Sequence, residues 1–312
     1  MKVFMYAGQG SQFIGMGADL DREFPEFRAA AGEAELEFDA IGVMREGPEA
    51  VLNDTRYTQP CMAVFAAGVT AVLRNHGILP EAVCGLSLGE YGALYATGVW
   101  ETKEYIELTA FRGKAMAEAA AGKEYVMSAV LNAEDEKVEG ICREIRDSSD
   151  PDRFVYPVNF NCPGQVVICG DAESVERAER RLGQEPRART MRLKTTSPFH
   201  TPALEAASRA LREQFDSVRF RRAEIPVAMN VTGRLLSPEE DLRTLLAAQV
   251  INPVRFRDDL SALLAEGADD FIEIGPGNVL AGLCKRTAKA MGKTVRIRSI
   301  QTAEDLRELL GN

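Results

Sequence analysis

Short apolar runs alternate with amphipathic stretches along this chain and predict an α/β protein. Residues 3–7 and 82–84 have the pattern of buried strands, and helical periodicity fills 62–75 and 90–96. A glycine-rich turn follows each strand, as expected where a strand passes directly into a helix. Strands separated by helices pair in parallel, because the helix returns the chain to the same end of the sheet. The pattern therefore predicts a core with a parallel sheet.

The segment 126–193 follows a different order. Its pattern predicts, in sequence, a strand at 126–131, a helix at 134–145, strands at 154–160 and 165–169, a helix at 172–182 and a strand at 188–193. This βαββαβ order is the ferredoxin-like pattern. Strands predicted at 226–230 and 270–274 then resume the α/β alternation. We predict a ferredoxin-like subdomain at 126–193, inserted into an α/β core of residues 1–125 and 194–312.

One turn has the sequence of a nucleophile elbow. Gly85-Leu86-Ser87-Leu88-Gly89 fits the pattern G-x-S-x-G between a predicted strand and a predicted helix. The glycines allow a backbone turn that is tight enough to expose the serine oxygen. The amide of Leu88 at the start of the helix points outward, where it suits a developing oxyanion. A tight packing turn with a bystander serine is the alternative at this point.

A serine nucleophile needs a base, and histidine is the usual one. The chain has two histidines. His76 ends a predicted helix, where it interacts favourably with the helix dipole, so we interpret it as structural. His200 lies between Pro198 and Pro202 in a predicted loop that the prolines stiffen. His200 is therefore the candidate base, with an ordinary loop histidine as the alternative.

An arginine on an apolar helix face is the third candidate for chemistry. In the helix predicted over 101–121, Arg112 falls on the same face as Tyr105, Leu108, Thr109 and Met116. Its planar fork matches a carboxylate, so a substrate with a free acid group is a natural partner. The alternatives are an arginine that extends to solvent along the apolar surface and one paired with an internal Asp or Glu.

Composition excludes several classes of protein and site. The formal net charge of -10 and the pI near 5.0 argue against a nucleic-acid binder. The six cysteines form no CxxC pair, so we predict no metal site, reduced thiols and a cytoplasmic protein. No apolar stretch reaches the roughly 18 residues of a membrane span. The glycine turns at 8–12 and 275–277 lack the fingerprints of nucleotide-binding loops, and we predict no bound cofactor.

Eight segments, spread along nearly the whole chain, carry the resemblance to a known family. They are Gly8-Gln9-Gly10-Ser11-Gln12, Thr58-Gln59-Pro60, the elbow with Glu90-Tyr91, Arg112-Gly113, the run from Val158 to Gln165, Phe199-His200, Asn252-Pro253-Val254 and Glu273-Ile274-Gly275-Pro276-Gly277. With these segments in this order, the sequence resembles the malonyl-CoA:acyl carrier protein transacylases, the discrete acyltransferases of fatty-acid and polyketide synthesis. The resemblance implies a hydrolase-like α/β core that carries a ferredoxin-like subdomain.

The resemblance also implies a reaction and its residues. The malonyl group would pass from malonyl-CoA to a serine and then to the pantetheine thiol of an acyl carrier protein, with coenzyme A and phosphopantetheine as parts of the substrates. A monomer is expected. The implied roles are Ser87 as nucleophile, His200 as base, the amides of Gln9 and Leu88 as oxyanion hole, the main-chain carbonyl of Gln249 as the acceptor that orients the imidazole, Arg112 as clamp for the malonyl carboxylate, and Phe199, Leu86 and Asn161 as further substrate-binding residues.

The sequence departs from the family pattern beside the nucleophile. Leu86 stands where the family usually has histidine, which leaves acyl selectivity open but removes neither the base nor an oxyanion donor. Phe199 resembles members that favour malonyl over branched groups, because a bulky ring crowds an α-methyl. Two other functions stay open: an acyl hydrolase of the same fold, which would not need Arg112, and an inactive homologue that binds the carrier.

Overall fold

The computed structural model describes residues 1–146, 153–195 and 197–311; the remaining residues of the two predicted units lie outside it. The helices are α1 (Ala18–Glu23), α2 (Pro25–Ala31), α3 (Ala40–Glu46), α4 (Glu49–Leu52), α5 (Thr55–Asn75), α6 (Leu88–Ala96), α7 (Thr102–Ala120), α8 (Asp135–Arg146), α9 (Ala172–Leu182), α10 (Glu205–Ser217), α11 (Leu242–Gln249), α12 (Phe256–Ala265), α13 (Val279–Ala290) and α14 (Ala303–Leu310). The strands are β1 (Lys2–Tyr6), β2 (Ala82–Gly85), β3 (Val126–Leu131), β4 (Val155–Cys162), β5 (Gln165–Gly170), β6 (Arg189–Arg192), β7 (Ala228–Met229), β8 (Arg234–Leu235), β9 (Asp270–Ile274) and β10 (Arg296–Ile300).

The core contains a parallel sheet of strand order β10-β9-β1-β2, as the alternating pattern predicts. Tyr6, the last residue of β1, pairs with Gly85 on one side and Ile274 on the other. The carboxyl ends of three neighbouring strands therefore coincide, and a glycine turn follows each of them. In open α/β sheets this edge is where ligands bind. The serine of the elbow lies at that edge.

A second, antiparallel sheet lies between the two halves of the core sequence. Its strand order is β4-β5-β3-β6, and its elements follow one another as βαββαβ. Helices α8 and α9 contribute apolar side chains to one cluster with this sheet. A smaller cluster on Met127, Ala129, Val158, Val167 and Cys169 includes the ring of Phe199. Because Phe199 also packs against the main core, the histidine loop joins the two sheets.

The helix that carries Arg112 is buried along the predicted face. Tyr105, Leu108, Thr109, Arg112 and Met116 of α7 are all buried. The helix packs against α5, which contains Gln59. Gly113 permits this close approach, because a Cβ there would lie 2.6 Å from the carbonyl oxygen of Thr55 and 3.3 Å from the Cβ of Gln59.

Two predicted elements differ clearly from the observed ones, and one observed strand was not predicted. The helix predicted to start at residue 62 starts at Thr55, and Pro60 lies inside it. The strand predicted at 226–230 shortens to Ala228–Met229, which pairs with β8. Strand β10 was not predicted, because its arginines break the apolar run of a buried strand. Across the part of the chain that the structure describes, no helix combines the length and the apolar character needed to cross a membrane.

We expect Gly113→Ala to lower the free energy of unfolding by about 1–3 kcal/mol, because the added methyl group forces α5 and α7 apart. Gly282→Ala is the matched control, since it also adds a methyl group inside a helix of the core but meets nothing within 4 Å. The control should be neutral or about 0.5–1 kcal/mol stabilising. Urea unfolding measures both, and equal stability of the two variants would contradict the close-approach argument.

Candidate active site

Ser87 lies at a strained turn between β2 and α6. Its backbone has φ 55° and ψ -104°, a conformation that residues other than glycine rarely adopt. A Cβ on Gly85 would collide with the backbone of Gly89, and a Cβ on Gly89 would collide with the carbonyl of Tyr6. Both glycines of the predicted elbow are therefore required by the packing of the turn against β1 and α6.

The structure brings His200 onto the serine. The distance from Ser87 Oγ to His200 Nε2 is 2.7 Å, and His200 Nδ1 lies 2.8 Å from the main-chain oxygen of Gln249. A carbonyl oxygen only accepts, so Nδ1 carries the proton and Nε2 accepts from the serine hydroxyl. Burial lowers the pKa of His200 to about 4, and the charge of Arg112 adds to this effect. The imidazole is thus neutral and ready to take a proton.

The guanidinium of Arg112 adjoins the same hydroxyl. Its Nη2 lies 3.2 Å from Ser87 Oγ and donates to Gln249 Oε1 at 2.9 Å, while Nη1 donates to Gln59 Oε1 at 2.8 Å. The ring of Tyr91 lies beneath it, with 5.2 Å between Cζ and the ring centroid. The side chain is 1% exposed, and among the described residues no carboxylate forms an ion pair with it. Neither alternative for Arg112, extension to solvent or an internal ion pair, describes this site.

The two amides that the resemblance assigns to an oxyanion hole lie in the neighbouring turns. Leu88 is the first residue of α6, and its amide has no hydrogen-bond acceptor in the described part of the chain. The same holds for the amide of Gln9, whose side chain is fixed by a 3.0 Å hydrogen bond from Nε2 to Thr55 Oγ1. Both N–H groups are therefore available to a ligand at the carboxyl edge of the sheet.

The remaining predicted residues differ in how closely they approach the serine. Leu86 and Phe199 are half-buried, adjacent in sequence to Ser87 and His200, and packed against the core. Asn161 lies on β4 and is buried, and its Oδ1 has no hydrogen-bond partner in the structure. No hydrogen bond that the structure describes joins Asn161 to the serine, the histidine or the arginine. The other histidine, His76, is exposed at the end of α5 with Nδ1 2.9 Å from the carbonyl of Val72.

The sequence reasoning missed a buried network beneath the serine. Asn230 accepts a 2.7 Å hydrogen bond from the amide of Ser87 through Oδ1, and its Nδ2 donates to the carbonyl of Gly85 and to Asp259. The amide of Asn230 donates to Glu90. Burial raises the pKa of Glu90 to about 7 and that of Asp259 well above its usual range. Glu90 stands in a motif that the sequence singled out, whereas nothing in the sequence marks Asn230 or Asp259.

The comparisons with known proteins agree with this geometry. The model of the acyl transferase domain family matches residues 3–306. The malonyl CoA-acyl carrier protein transacylase of Bacillus subtilis is 34% identical over 303 residues, which cover 96% of this chain and 94% of that protein. The structure of the transacylase of that name from Clostridium perfringens superposes with a TM-score of 0.91 at 32% identity, covering 99% of this chain and 96% of the other.

A third match is a malonyl-transacylase solved in complex with its type II PKS acyl-carrier protein, with a TM-score of 0.90, 33% identity and coverage of 100% of this chain and 99% of that one. The extent of these matches confirms the resemblance carried by the eight segments. The chain belongs to the acyl transferase family and, within it, to the malonyl CoA-acyl carrier protein transacylases.

Proposed function

We propose that this chain transfers the malonyl group of malonyl-CoA to the pantetheine thiol of an acyl carrier protein through a malonyl ester on Ser87. The observation that carries the proposal is the convergence of His200 Nε2 and Arg112 Nη2 on Ser87 Oγ, at 2.7 and 3.2 Å. A nucleophile, its base and a buried cation together suit a thioester whose acyl group ends in a carboxylate. The activities named for the relatives agree with it.

In the first half of the reaction, Ser87 Oγ attacks the thioester carbon while His200 Nε2 takes the hydroxyl proton. The negative charge on the carbonyl oxygen meets the amides of Gln9 and Leu88. That charge also raises the proton affinity of the imidazole, which is low only in the resting site. When the intermediate collapses, the carbon–sulfur bond breaks and the proton of His200 passes to the coenzyme A thiolate.

In the second half, the thiol of the carrier gives its proton to His200 as its sulfur attacks the malonyl ester. The ester bond to Ser87 breaks, and the serine oxygen recovers the proton from the imidazolium. The main-chain carbonyl of Gln249 holds the imidazole in one tautomer throughout, 2.8 Å from Nδ1. Because each half returns the site to its starting protonation state, no proton has to enter from solvent.

The acid group of the substrate is held by Arg112. Its Nε has no hydrogen-bond partner in the structure, and Nη2 directs one hydrogen toward Ser87 Oγ, so N–H groups remain for the malonyl carboxylate. Phe199, Leu86 and Asn161 complete our proposed substrate site, and we expect the bulky, half-buried ring of Phe199 to crowd a branched acyl group. An acyl hydrolase would not need the buried cation. An inactive homologue would need neither the cation nor the serine and histidine beside it.

We also propose the finer architecture and setting of the chain. Residues 1–125 and 194–312 form a hydrolase-like catalytic core, and residues 126–193 form a ferredoxin-like subdomain; the parallel order β10-β9-β1-β2 and the antiparallel order β4-β5-β3-β6 support this division. The protein acts as a cytoplasmic monomer in fatty-acid or polyketide synthesis, without a resident cofactor or a nucleic-acid or membrane partner. The six free, buried cysteines support a reducing, cytoplasmic environment. The net charge of -10 argues against a nucleic-acid partner.

Exposure to equal amounts of malonyl-CoA and acetyl-CoA tests the function. We expect intact-mass spectrometry to find mainly a malonyl adduct, located on Ser87 by peptide mapping and absent from Ser87→Ala, with transfer to a phosphopantetheine-bearing acyl carrier protein when that is added. Steady release of free acetate without an adduct would instead identify a hydrolase. If neither an adduct nor free acetate forms, an inactive homologue that binds the carrier would be the only function left.

We expect Arg112→Ala to shift the preference from malonyl toward acetyl groups. Loss of one partner of a buried ion pair costs about 2–5 kcal/mol, which lowers the ratio of malonyl to acetyl labelling by at least about 30-fold. Arg112→Lys is the control, because it keeps the positive charge but loses the planar, two-pronged guanidinium. Its labelling ratio should lie between those of the wild type and Arg112→Ala. The competition assay above measures both, and an unchanged ratio in Arg112→Ala would contradict the clamp.

The pH dependence of acetylation reports on His200. Because burial lowers its pKa from 6.5 to about 4, the imidazole stays neutral well below neutral pH. The single-turnover rate of Ser87 acetylation should therefore be flat from pH 8 to about 5 and fall as pH drops through about 4. Acetyl-CoA is the right substrate, since its acyl group has no carboxylate, and circular dichroism checks folding at each pH. A midpoint near 6.5 would contradict the buried, neutral base.

A further inference from the structure

The buried carboxylate Glu90 has no part in the reaction as described, yet it touches the residue that holds Arg112. It lies in the first turn of α6 and is 1% exposed. Its Oε1 accepts from the amide of Asn230 at 2.5 Å, and its Oε2 accepts from Gln249 Nε2 at 2.5 Å. The carboxylate therefore reaches the arginine through one amide group and does not contact it.

The amide of Gln249 has only one orientation that satisfies its neighbours, and Glu90 is one of the two acceptors that fix its NH2 group. Nε2 donates one hydrogen to Glu90 and the other to the main-chain oxygen of Ser87 at 2.9 Å. Oε1 is thereby turned to Arg112 Nη2, 2.9 Å away. An ionised carboxylate and a main-chain oxygen only accept hydrogen bonds, so Glu90 and Ser87 together exclude the reversed amide, which would direct an oxygen at both of them and hydrogens at the guanidinium.

We infer that Glu90 is a positioning residue for the substrate acid: it fixes the amide of Gln249 so that a neutral oxygen orients Arg112 and leaves its positive charge for the acyl carboxylate. This inference rests on the proposed function. A carboxylate in direct contact with Arg112 would occupy the fork and compete with the substrate. Placed one amide away, the carboxylate still offsets the charge of a buried guanidinium.

The neighbouring groups indicate that Glu90 is the member of the buried pair that carries the negative charge. Burial raises the pKa of Glu90 to about 7, but the hydrogen bonds to both of its oxygens and the positive charge of Arg112 oppose this rise and favour the ionised form. Asp259, linked to it through Asn230, accepts one hydrogen bond through Oδ2, and its Oδ1 has no partner in the structure. Burial, and after it the nearby charge of Glu90, raise the pKa of Asp259 well above its usual range, so Asp259 keeps a proton more readily than Glu90 does.

Glu90→Gln tests the inference because it keeps size and removes the second acceptor. The two donors meet different oxygens of Glu90, and the substitution turns one of these oxygens into an NH2 group. Because the main-chain amide of Asn230 can only donate, the remaining oxygen faces it and the NH2 group faces Gln249. Either the bond to Gln249 is then lost, or Gln249 turns over and directs hydrogens at Arg112. We expect the ratio of malonyl to acetyl labelling of Ser87 to fall about 10-fold or more, because a buried hydrogen-bonding group loses its partner, with the acetylation rate within about 3-fold of the wild-type value.

Three further variants make the test specific. Glu90→Asp keeps a carboxylate and should restore part of the ratio. Gln249→Met keeps the main-chain carbonyl that orients His200 but removes the amide, and it should lower the ratio as Glu90→Gln does, with the double variant no worse than either single one. The matched control is Glu273→Gln, an equally buried carboxylate on β9 that accepts from the amides of Leu280 and Ala281; its ratio should stay within about 2-fold.

The outcomes separate this inference from the function it rests on. A wild-type protein that takes no malonyl group overturns the proposed function and the inference with it. Malonylation of the wild-type protein together with an unchanged ratio in Glu90→Gln overturns the inference alone, as does an equal loss of malonylation and acetylation, which would mark a merely structural role. If circular dichroism shows that Glu90→Gln is unfolded, Gln249→Met becomes the deciding variant. An unchanged malonyl-to-acetyl ratio in Gln249→Met then overturns the inference.

Discussion

A buried guanidinium without a contacting counter-charge is the constraint on which the rest of this site depends. Arg112 is held by the side-chain oxygens of Gln59 and Gln249, both neutral, and lies one hydrogen bond from the nucleophile. Bringing Gln59 within reach requires the close packing of α5 and α7 that Gly113 allows. The cost of burying an unpaired charge is therefore met by the fold, and in the reaction we propose the carboxylate of the substrate completes the pair.

The second constraint is backbone strain on both sides of the reacting hydroxyl. Ser87 and His200 have φ values of 55° and 60°, conformations that cost of order 1–3 kcal/mol each. The amide of Ser87 is fixed by Asn230, which also binds the carbonyl of Gly85 and so spans the elbow from beneath. Strain of this kind persists only where surrounding contacts hold it, and the buried network beneath the serine supplies them.

Local sequence signals predicted the parts of the site that depend on local geometry. The elbow follows from two glycines around Ser87, and the burial of Arg112 follows from helical periodicity, so the parallel sheet and these two residues could be placed without coordinates. Local signals did not predict the supporting network, and the family resemblance supplied only the main-chain carbonyl of Gln249. Asn230 and Gln249 are 143 and 162 residues from Ser87 in sequence, and only the tertiary fold brings them beneath the elbow. The eight segments named the family but gave Glu90 no role.

The two roles of Gln249 explain why the site needs no acidic residue behind its histidine. An aspartate at Nδ1 would stabilise the imidazolium, but it would also place a negative charge close to the carboxylate that we propose Arg112 binds. The main-chain oxygen of Gln249 orients the ring without charge, and its side chain does the same for the guanidinium. Glu90 is set behind that amide, at 2.5 Å from Nε2. Neutral acceptors thus contact both the imidazole and the guanidinium, and in our proposal this leaves the positive charge of Arg112 to select an acidic acyl group.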